Sequence, residues 1–221
     1  MARRSRSSAT SADSSLTRQR LTFVNRRRYP AAVERTLDRR SQILEVAARL
    51  FAERGFHGVS VGDIGRAVGI SGPALYKHFD SKDDVLAEML VAISERLLTE
   101  GQERVAQAHS PDAALAALVD WHVEFALAQP SLIVVQDRDW QSLAVEARER
   151  VRSLQREYVD LWADQLRRRD PDLTTDRAQA MAHAAFGLIN STPHSSRLPQ
   201  SAMRELLAGM ALGSLGLKSL S

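Results

Sequence analysis

The chain has 221 residues, of which 44% are apolar, as expected for a soluble globular protein with one large domain or two small ones. No run of 18 apolar residues exists, and the basic, serine-rich first ten residues precede no apolar segment. The sequence therefore predicts neither a membrane span nor a signal peptide, and we expect a cytoplasmic protein. The absence of cysteine excludes disulfides and thiolate metal sites.

The positive charge is concentrated at one end of the chain. Residues 1–40 hold eleven arginines and three acidic residues, a net +8, whereas residues 41–221 hold 19 basic and 24 acidic residues, a net −5. Residues 1–30 lack apolar periodicity and are predicted to form a basic, disordered arm. The arm is either a solvated tail or a contact for nucleic acid. Its candidate contacts are Arg18, Arg20, Arg26, Arg27 and Arg28.

Helical patterns follow in chain order from residue 31 to the end. The first helix is predicted to stop at Gly55, the second to run from Ser60 to about Val68, and the third from about Gly72 to Phe79. Further helices are predicted from Ser81 and over about 111–129, 143–169, 175–190 and 199–215. The run Leu132–Val135 is strand-like, but alone it cannot form a sheet.

These elements predict an all-α fold in two parts behind the arm. A three-helix unit with a helix-turn-helix is expected over residues 31–80, and a larger helical bundle over residues 81–221. The sequence contains no internal repeat.

The stretch from Ser60 to Phe79 predicts two short helices joined by a glycine-containing turn. Its apolar residues fall on one side, which leaves an exposed side formed by Ser71, Pro73, Ala74, Lys77 and His78. A helix with small residues and a lysine on its exposed side fits the major groove of DNA. Groups positioned to reach phosphates are Tyr76, Lys82 and the helix starts at Ser60 and Ser81. The alternative is an ordinary helical hairpin that binds no nucleic acid.

Residues 40–98 resemble the N-terminal domain of the tetracycline-repressor (TetR/AcrR) family of transcriptional regulators. The resemblance rests on Ile43-Leu-Glu-Val-Ala-Ala-Arg-Leu-Phe51, Gly55-Phe-His-Gly-Val-Ser60, Asp63-Ile, Gly69-Ile-Ser, Leu75-Tyr-Lys-His-Phe79 and Ser81-Lys82 followed by Leu86. It covers about a quarter of the chain. Gly62 and Gly65 depart from the family, which more often has alanine or bulkier residues there.

The resemblance implies that Ser60 and the helix from Ser71 to Phe79, including Gly72, bind operator DNA. It also implies that the remainder binds an effector and forms a homodimer, so that the operator is near-palindromic. We therefore expect a ligand-responsive regulator, most simply a repressor, whose partners are double-stranded DNA, a second copy of itself and a small molecule. A faint likeness of the C-terminal half to regulators placed near acyl-CoA metabolism genes suggests an acyl-CoA-like or apolar effector.

The C-terminal half offers candidates for both remaining sites. In the resembled family the last two helices pair with their copies in a four-helix bundle, and the alternative is that they are core helices of a monomer. The predicted interface residues are Ala178, Ala182, Ala185, Phe186, Ile189, Met203, Leu206, Leu207 and Met210. The predicted pocket residues, which could equally be simple core, are Trp121, His122, Phe125, Trp140, Tyr158, Trp162, His183 and Asn190. The charged segment 136–139 beside Trp140 either links two helices or gates the pocket.

Other classes of protein find little support. The sequence has no nucleophile elbow, no phosphate-binding glycine loop and no His-Glu-x-x-His motif, so we expect no catalytic residues and no enzyme. None of the six histidines pairs with another at i, i+3 or i, i+4, so we expect no metal site, and no cofactor is predicted. A helical scaffold that binds another protein, with neither DNA nor an effector, is the main alternative.

Overall fold

The structure, a computed structural model, describes residues 31–195 and 197–217, without the side chains of residues 31–38. The chain divides into two units, residues 1–41 and 42–221, and all packing described below lies within the second. The helices are α1 (Ala31–Arg54), α2 (Val61–Val68), α3 (Gly72–Leu75), α4 (Lys82–Gln107), α5 (Pro111–Ala128), α6 (Pro130–Asp139), α7 (Val145–Arg169), α8 (Thr175–Asn190), α9 (Thr192–Ser195) and α10 (Gln200–Ser214). This order confirms the predicted all-α fold.

Local sequence sets the helix ends. Gly55 follows α1 with φ of 77°, a left-handed conformation that glycine adopts without strain, and its N–H donates to Phe51 O at 2.8 Å. Serine hydroxyls accept from backbone N–H groups at the starts of α2, α3, α4 and α5. These caps satisfy donors that a helix start otherwise leaves unpaired, which is why the predicted starts match the observed ones closely.

The helix-turn-helix closes over a small apolar core. Phe51, Ile64, Leu75 and Phe79 are all at most 1% exposed. The close approach occurs at Gly65, where an added Cβ would lie 3.0 Å from the carbonyl oxygen of Ile70. The glycine therefore permits the tight contact between α2 and the turn that leads into α3.

The recognition segment is shorter as a helix than predicted. Helix α3 ends at Leu75, and the next turn tightens because Lys77 N donates to Ala74 O and His78 N donates to Leu75 O. Such i to i−3 bonds are common in the last turn of a helix. The tightened turn brings Phe79 into the core.

The strand-like interpretation of Leu132–Val135 is wrong, because these residues lie in α6. A proline in the first turn of a helix loses no hydrogen bond, so Pro130 both ends α5 and begins α6. Leu132, Ile133 and Val135 are buried against neighbouring helices, and this burial outweighs the strand preference of branched residues.

The larger bundle is built around α4, α5 and α7. Helix α4 packs on α5 and α7, α7 also packs on α5 and α8, and α10 packs on α5 and α8. Among the described residues, no single helix has the length and apolar character of a membrane span, although the bent pair of α5 with residues 130–142 meets both criteria together.

Two glycines in α2 allow a matched test of the turn. Both Gly62→Ala and Gly65→Ala gain helix propensity of about 1 kcal/mol. At Gly62 the added Cβ would meet only the Ser60 hydroxyl at 3.6 Å, whereas at Gly65 it presses on backbone atoms of the turn. We expect Gly62→Ala to leave the free energy of unfolding unchanged or higher, and Gly65→Ala to lower it by about 1–3 kcal/mol. Urea denaturation of both variants measures the difference; equal stabilities would contradict the steric role of Gly65.

Candidate nucleic-acid interface and ligand cavity

The side of α3 that faces away from the core is accessible. Ser71, Pro73 and Lys77 are exposed, and Tyr76 is 54% exposed although it is a large apolar ring. Gly72, Ala74 and His78 are half-buried, and Leu75 and Phe79 anchor the opposite side. The structure thus brings together on one segment the residues predicted to face a groove.

Ser60 has an internal role that the sequence only partly indicated. Its hydroxyl donates to Asp63 Oδ2 at 2.6 Å and accepts from Asp63 N at 3.1 Å, while Ser60 N donates to the same carboxylate. The bond from the Ser60 hydroxyl lowers the pKa of Asp63 to about 2, with smaller contributions from Ser60 N and from Arg66. The hydroxyl of Ser60 is therefore committed to a capping box, and its contact with phosphate stays a prediction.

Lys82 also binds within the domain. Its Nζ donates to the carbonyl oxygens of Phe56 and Val59, both at 2.8 Å, and lies 4.2 Å from the centre of the Phe56 ring. These bonds use two of its three N–H groups, so Lys82 ties the start of α4 to the loop before α2. Sequence reasoning assigned it to phosphate alone because nothing in the local pattern places the loop carbonyls beside it.

A cavity of about 300 Å³ lies inside the larger bundle. It is bounded by α4, α5, α6, α7 and α8, and its volume is at the lower end of the range for small-molecule sites. Its lining is formed by Ser94, Leu97, His122, Phe125, Ile133, Gln136, Leu154, Gln155, Tyr158, Val159, His183, Phe186, Gly187 and Asn190. The lining contains neither an acidic residue nor a lysine or arginine.

Aromatic rings form one wall of this cavity. Phe186 stacks on His122 with ring centres 4.8 Å apart and on Tyr158 at 5.5 Å, while Trp162 stands edge-on behind them. Burial lowers the pKa of His122 to about 4, although its bond to Asn190 opposes the shift. The ring is therefore neutral at pH 7, and Nε2, 3.2 Å from Asn190 Oδ1, is positioned to donate to that oxygen.

Three polar atoms of this wall lack hydrogen-bond partners within the described part of the chain: Nδ1 of His122, the hydroxyl of Tyr158 and Nε1 of Trp162. The first two belong to residues that line the cavity. Burial also raises the pKa of Tyr158, so its hydroxyl keeps its proton. Unpaired polar atoms in a buried wall cost stability, and a ligand that pairs them would recover part of that cost.

A second cavity of about 300 Å³ adjoins the first and shares Gln155, Val159 and His183 with it. This outer cavity adds Arg152, Arg156, Asp160 and Gln179, so its charge is different from that of the inner one. The inner lining thus has no acidic, lysine or arginine side chain, whereas the adjoining lining contains two arginines and Asp160.

Five of the eight predicted pocket residues line the inner cavity: His122, Phe125, Tyr158, His183 and Asn190. The three tryptophans do not. Trp121 is held between Arg96 and Arg104, Trp140 packs under Arg152, and Trp162 is fully buried behind the ring wall. Sequence reasoning overlooked Ser94, Leu97, Ile133, Gly187 and other small or aliphatic residues, since such residues carry no signal that distinguishes a cavity from a core.

Most of the predicted dimer interface is buried inside the single chain. Six of its residues are at most 4% exposed and pack within their own chain, and a contact through them with a second chain stays a prediction: Ala178, Ala182, Ala185, Ile189, Met203 and Leu207. Helices α8 and α10 are apolar on more than one face, and the sequence alone could not tell which face packs on α5 and α7. Leu206 and Met210 are exposed, whereas Phe186 is half-buried in the wall of the inner cavity.

The predicted arm residues Arg18, Arg20, Arg26, Arg27 and Arg28 lie outside the described residues. Among residues that the structure does describe, no group of three or more histidine, aspartate or glutamate side chains could hold a metal ion.

The short α2–turn–α3 unit with an exposed second helix, followed by a helical bundle around a cavity, defines a helix-turn-helix protein of the regulatory type. Two family models match the chain. Residues 43–89 match the model for bacterial regulatory proteins of the tetR family, and residues 108–194 match the model for the tetracyclin repressor-like C-terminal domain. The chain belongs to the tetR family of bacterial regulatory proteins, which confirms the resemblance seen in the sequence.

Individual relatives agree with this assignment. The chain is 37% identical over 125 residues to the HTH-type transcriptional repressor KstR2 of Rhodococcus jostii, a match that spans 56% of this chain and 61% of the relative. It is 29% identical to a TetR-family transcriptional regulator from Bordetella parapertussis, with a TM-score of 0.71 over 82% of this chain and 98% of that one. AibR, solved with isovaleryl coenzyme A and operator DNA, shares the fold at 20% identity, with a TM-score of 0.65 over 78% and 97% of the two chains.

The neutral His122 predicts a specific dependence of stability on pH. Unfolding exposes the ring and restores its ordinary pKa of 6.5, so the unfolded chain binds a proton below pH 6.5 that the folded chain takes up only near pH 4. The free energy of unfolding of the wild-type protein should therefore fall by about 2–3 kcal/mol as the pH is lowered from 6.5 to 4.5. The His122→Phe variant lacks this group, so its free energy of unfolding should not show this part of the decrease. Urea titrations of both proteins at several pH values measure this difference; parallel pH curves would contradict it.

Proposed function

We propose that this protein is a transcriptional repressor that binds a near-palindromic DNA operator as a homodimer and is released by a small molecule. The observation that carries the proposal is the exposed side of α3, where Ser71, Pro73, Tyr76 and Lys77 are accessible while Leu75 and Phe79 fix the helix to its domain. The match covers only 61% of the Rhodococcus jostii repressor, so repression is carried over from that relative as a proposal.

The DNA contacts divide by chemistry. Small residues at Ser71, Gly72, Pro73 and Ala74 allow the start of α3 to approach base edges in the major groove. Lys77 and the hydroxyl of Tyr76 are placed for phosphates, with His78 beside them. Lys82 and Ser60 are better suited to holding the domain in shape, because their polar groups are engaged internally. The basic arm would add minor-groove contacts.

A second copy is needed because a near-palindromic operator is read by two recognition helices. Regulators of this family bind DNA operators and dimerise. Leu206 and Met210, four residues apart on α10, are 45% and 51% exposed and apolar. This accessible apolar surface supports a dimer contact through α10, whereas the ring of Phe186 on α8 lines the inner cavity.

The two cavities suit an effector that has an uncharged, apolar part and an anionic part. The inner cavity supplies aromatic and aliphatic walls with two unpaired polar atoms, and the outer cavity supplies Arg152 and Arg156. A coenzyme A thioester has this division, with an acyl chain at one end and phosphates at the other. Such a ligand would act by binding more tightly to the conformation of the dimer whose recognition helices are wrongly spaced for the operator. Helix α4 would connect the larger bundle to the helix-turn-helix unit.

Replacement of Tyr76 and Lys77 together by alanine tests the DNA-reading surface. After selection of bound sequences from random DNA, we expect the double variant to bind the selected operator about tenfold or more weakly. Because fewer phosphates are then neutralised by the protein, the dependence of log affinity on log salt should also fall, by about one for each phosphate left without its cation. Fluorescence anisotropy at several salt concentrations measures both quantities.

The control is Arg167→Ala, which removes a positive charge from an exposed position at the end of α7. This variant should bind the operator as the wild-type protein does. Unchanged affinity in the Tyr76 and Lys77 double variant would refute the site. Failure to enrich any DNA sequence would favour a scaffold that binds protein.

A further inference from the structure

The last turn of α6 contacts the end of α1 across 86 residues of sequence. Arg138 Nη1 donates to Ala52 O at 3.0 Å, and Nη2 donates to Phe51 O. Asp139 Oδ1 accepts from the backbone N–H of Phe56 at 3.3 Å. We call this set of contacts the α6–α1 clamp. It joins the larger bundle directly to the helix-turn-helix unit.

The chemistry of the clamp makes it specific. Carbonyls in the last turn of a helix carry partial negative charge, and each carbonyl oxygen has two lone pairs. Phe51 O can therefore accept from the guanidinium as well as from Gly55 N. The carboxylate of Asp139 is only 8% exposed, and Arg138 Nη2 compensates its charge at 3.2 Å. A buried carboxylate without a partner would be costly, so the two side chains depend on each other.

The clamp is continuous with the inner cavity. Helix α6 contributes Ile133 and Gln136 to the cavity wall, and Arg138 and Asp139 follow within the same ten-residue helix. A helix moves as a rigid element over this length. A ligand that displaces the wall of α6 must therefore change the position of the guanidinium relative to the end of α1.

We propose that the α6–α1 clamp transmits occupancy of the inner cavity to the helix-turn-helix, so that Arg138 and Asp139 are positioning residues for DNA binding. The inference rests on the proposed function and names how its two sites communicate. It is separate from the connection through α4, where Lys82 holds the loop carbonyls of Phe56 and Val59. Phe56 belongs to both connections, since its N–H binds Asp139 and its carbonyl binds Lys82.

A built-in occupant tests the clamp without knowledge of the natural ligand. Ser94 lies in the cavity wall, is 4% exposed, and donates only to Leu90 O within its own helix. Ser94→Phe places a ring in the cavity, whereas Ser94→Ala removes the same hydroxyl and fills nothing. Ser94→Leu provides a smaller occupant if the phenylalanine variant does not fold, as judged by circular dichroism and thermal unfolding.

Each Ser94 variant is combined with Arg138→Lys and, separately, with Asp139→Asn. Lysine keeps the charge but cannot reach two carbonyls with a rigid fork, and asparagine keeps the size but not the charge. Two measurements are made: the affinity for the selected operator, and the rate of hydrogen exchange at the Phe56 amide, which reports on the clamp directly.

In the otherwise wild-type protein, we expect Ser94→Phe to bind the operator at least fivefold more weakly than Ser94→Ala, the matched reference, and to show faster exchange at Phe56 than that reference. In the Arg138→Lys and Asp139→Asn backgrounds, the additional effect of Ser94→Phe on operator affinity should fall below twofold. A merely structural role for Arg138 would lower stability and leave the effect of the occupant intact.

Two results would overturn the clamp. One is an unchanged effect of Ser94→Phe in both clamp variants, which would assign the coupling to other contacts, such as those of α4. The other is an occupant that alters neither operator affinity nor Phe56 exchange in the wild-type background. If the wild-type protein selects no operator, the proposed function fails, and the exchange measurement still decides whether cavity occupancy reaches Phe56.

Discussion

The bond from the Lys82 ammonium to the carbonyl oxygens of Phe56 and Val59 fixes how the helix-turn-helix meets the rest of the chain. The loop between α1 and α2 has carbonyls that no helix satisfies, and the lysine from the start of α4 supplies their donors at 2.8 Å. Because α2 begins at the end of this loop, the direction of α2 and α3 depends on the position of α4. This contact therefore helps to orient the surface that α3 exposes.

Helix α4 therefore serves both parts of the protein. Its first residue holds the loop, and Ser94 and Leu97, about three turns later, line the inner cavity. Helix α6 forms a second connection through Arg138 and Asp139. Two connections that meet at Phe56 constrain the small domain more tightly than either alone, and both begin in the wall of the cavity.

The charged side chains near the two cavities are unevenly distributed. The inner lining has no acidic, lysine or arginine side chain, and burial keeps His122 neutral, so the interior favours uncharged ligand groups. The arginines stay at the outer cavity, where solvent offsets part of the cost of their charge. The ligand that we propose would bind with its apolar end inside and its charged end beside these arginines.

The sequence by itself determined the all-α class, the starts of the serine-capped helices α2 to α5 and the residues of the helix-turn-helix, because serine caps, glycine stops and apolar spacing act over a few neighbouring residues. Only the tertiary structure decided the uses of residues whose partners lie far along the chain. It placed Ala182 and Leu207 in the core of one chain, kept Trp121, Trp140 and Trp162 out of the cavity, and turned Lys82 and Arg138 toward backbone carbonyls. A helix with several apolar faces, or a cation with a long side chain, does not encode locally which partner it will meet; packing against distant elements makes that choice.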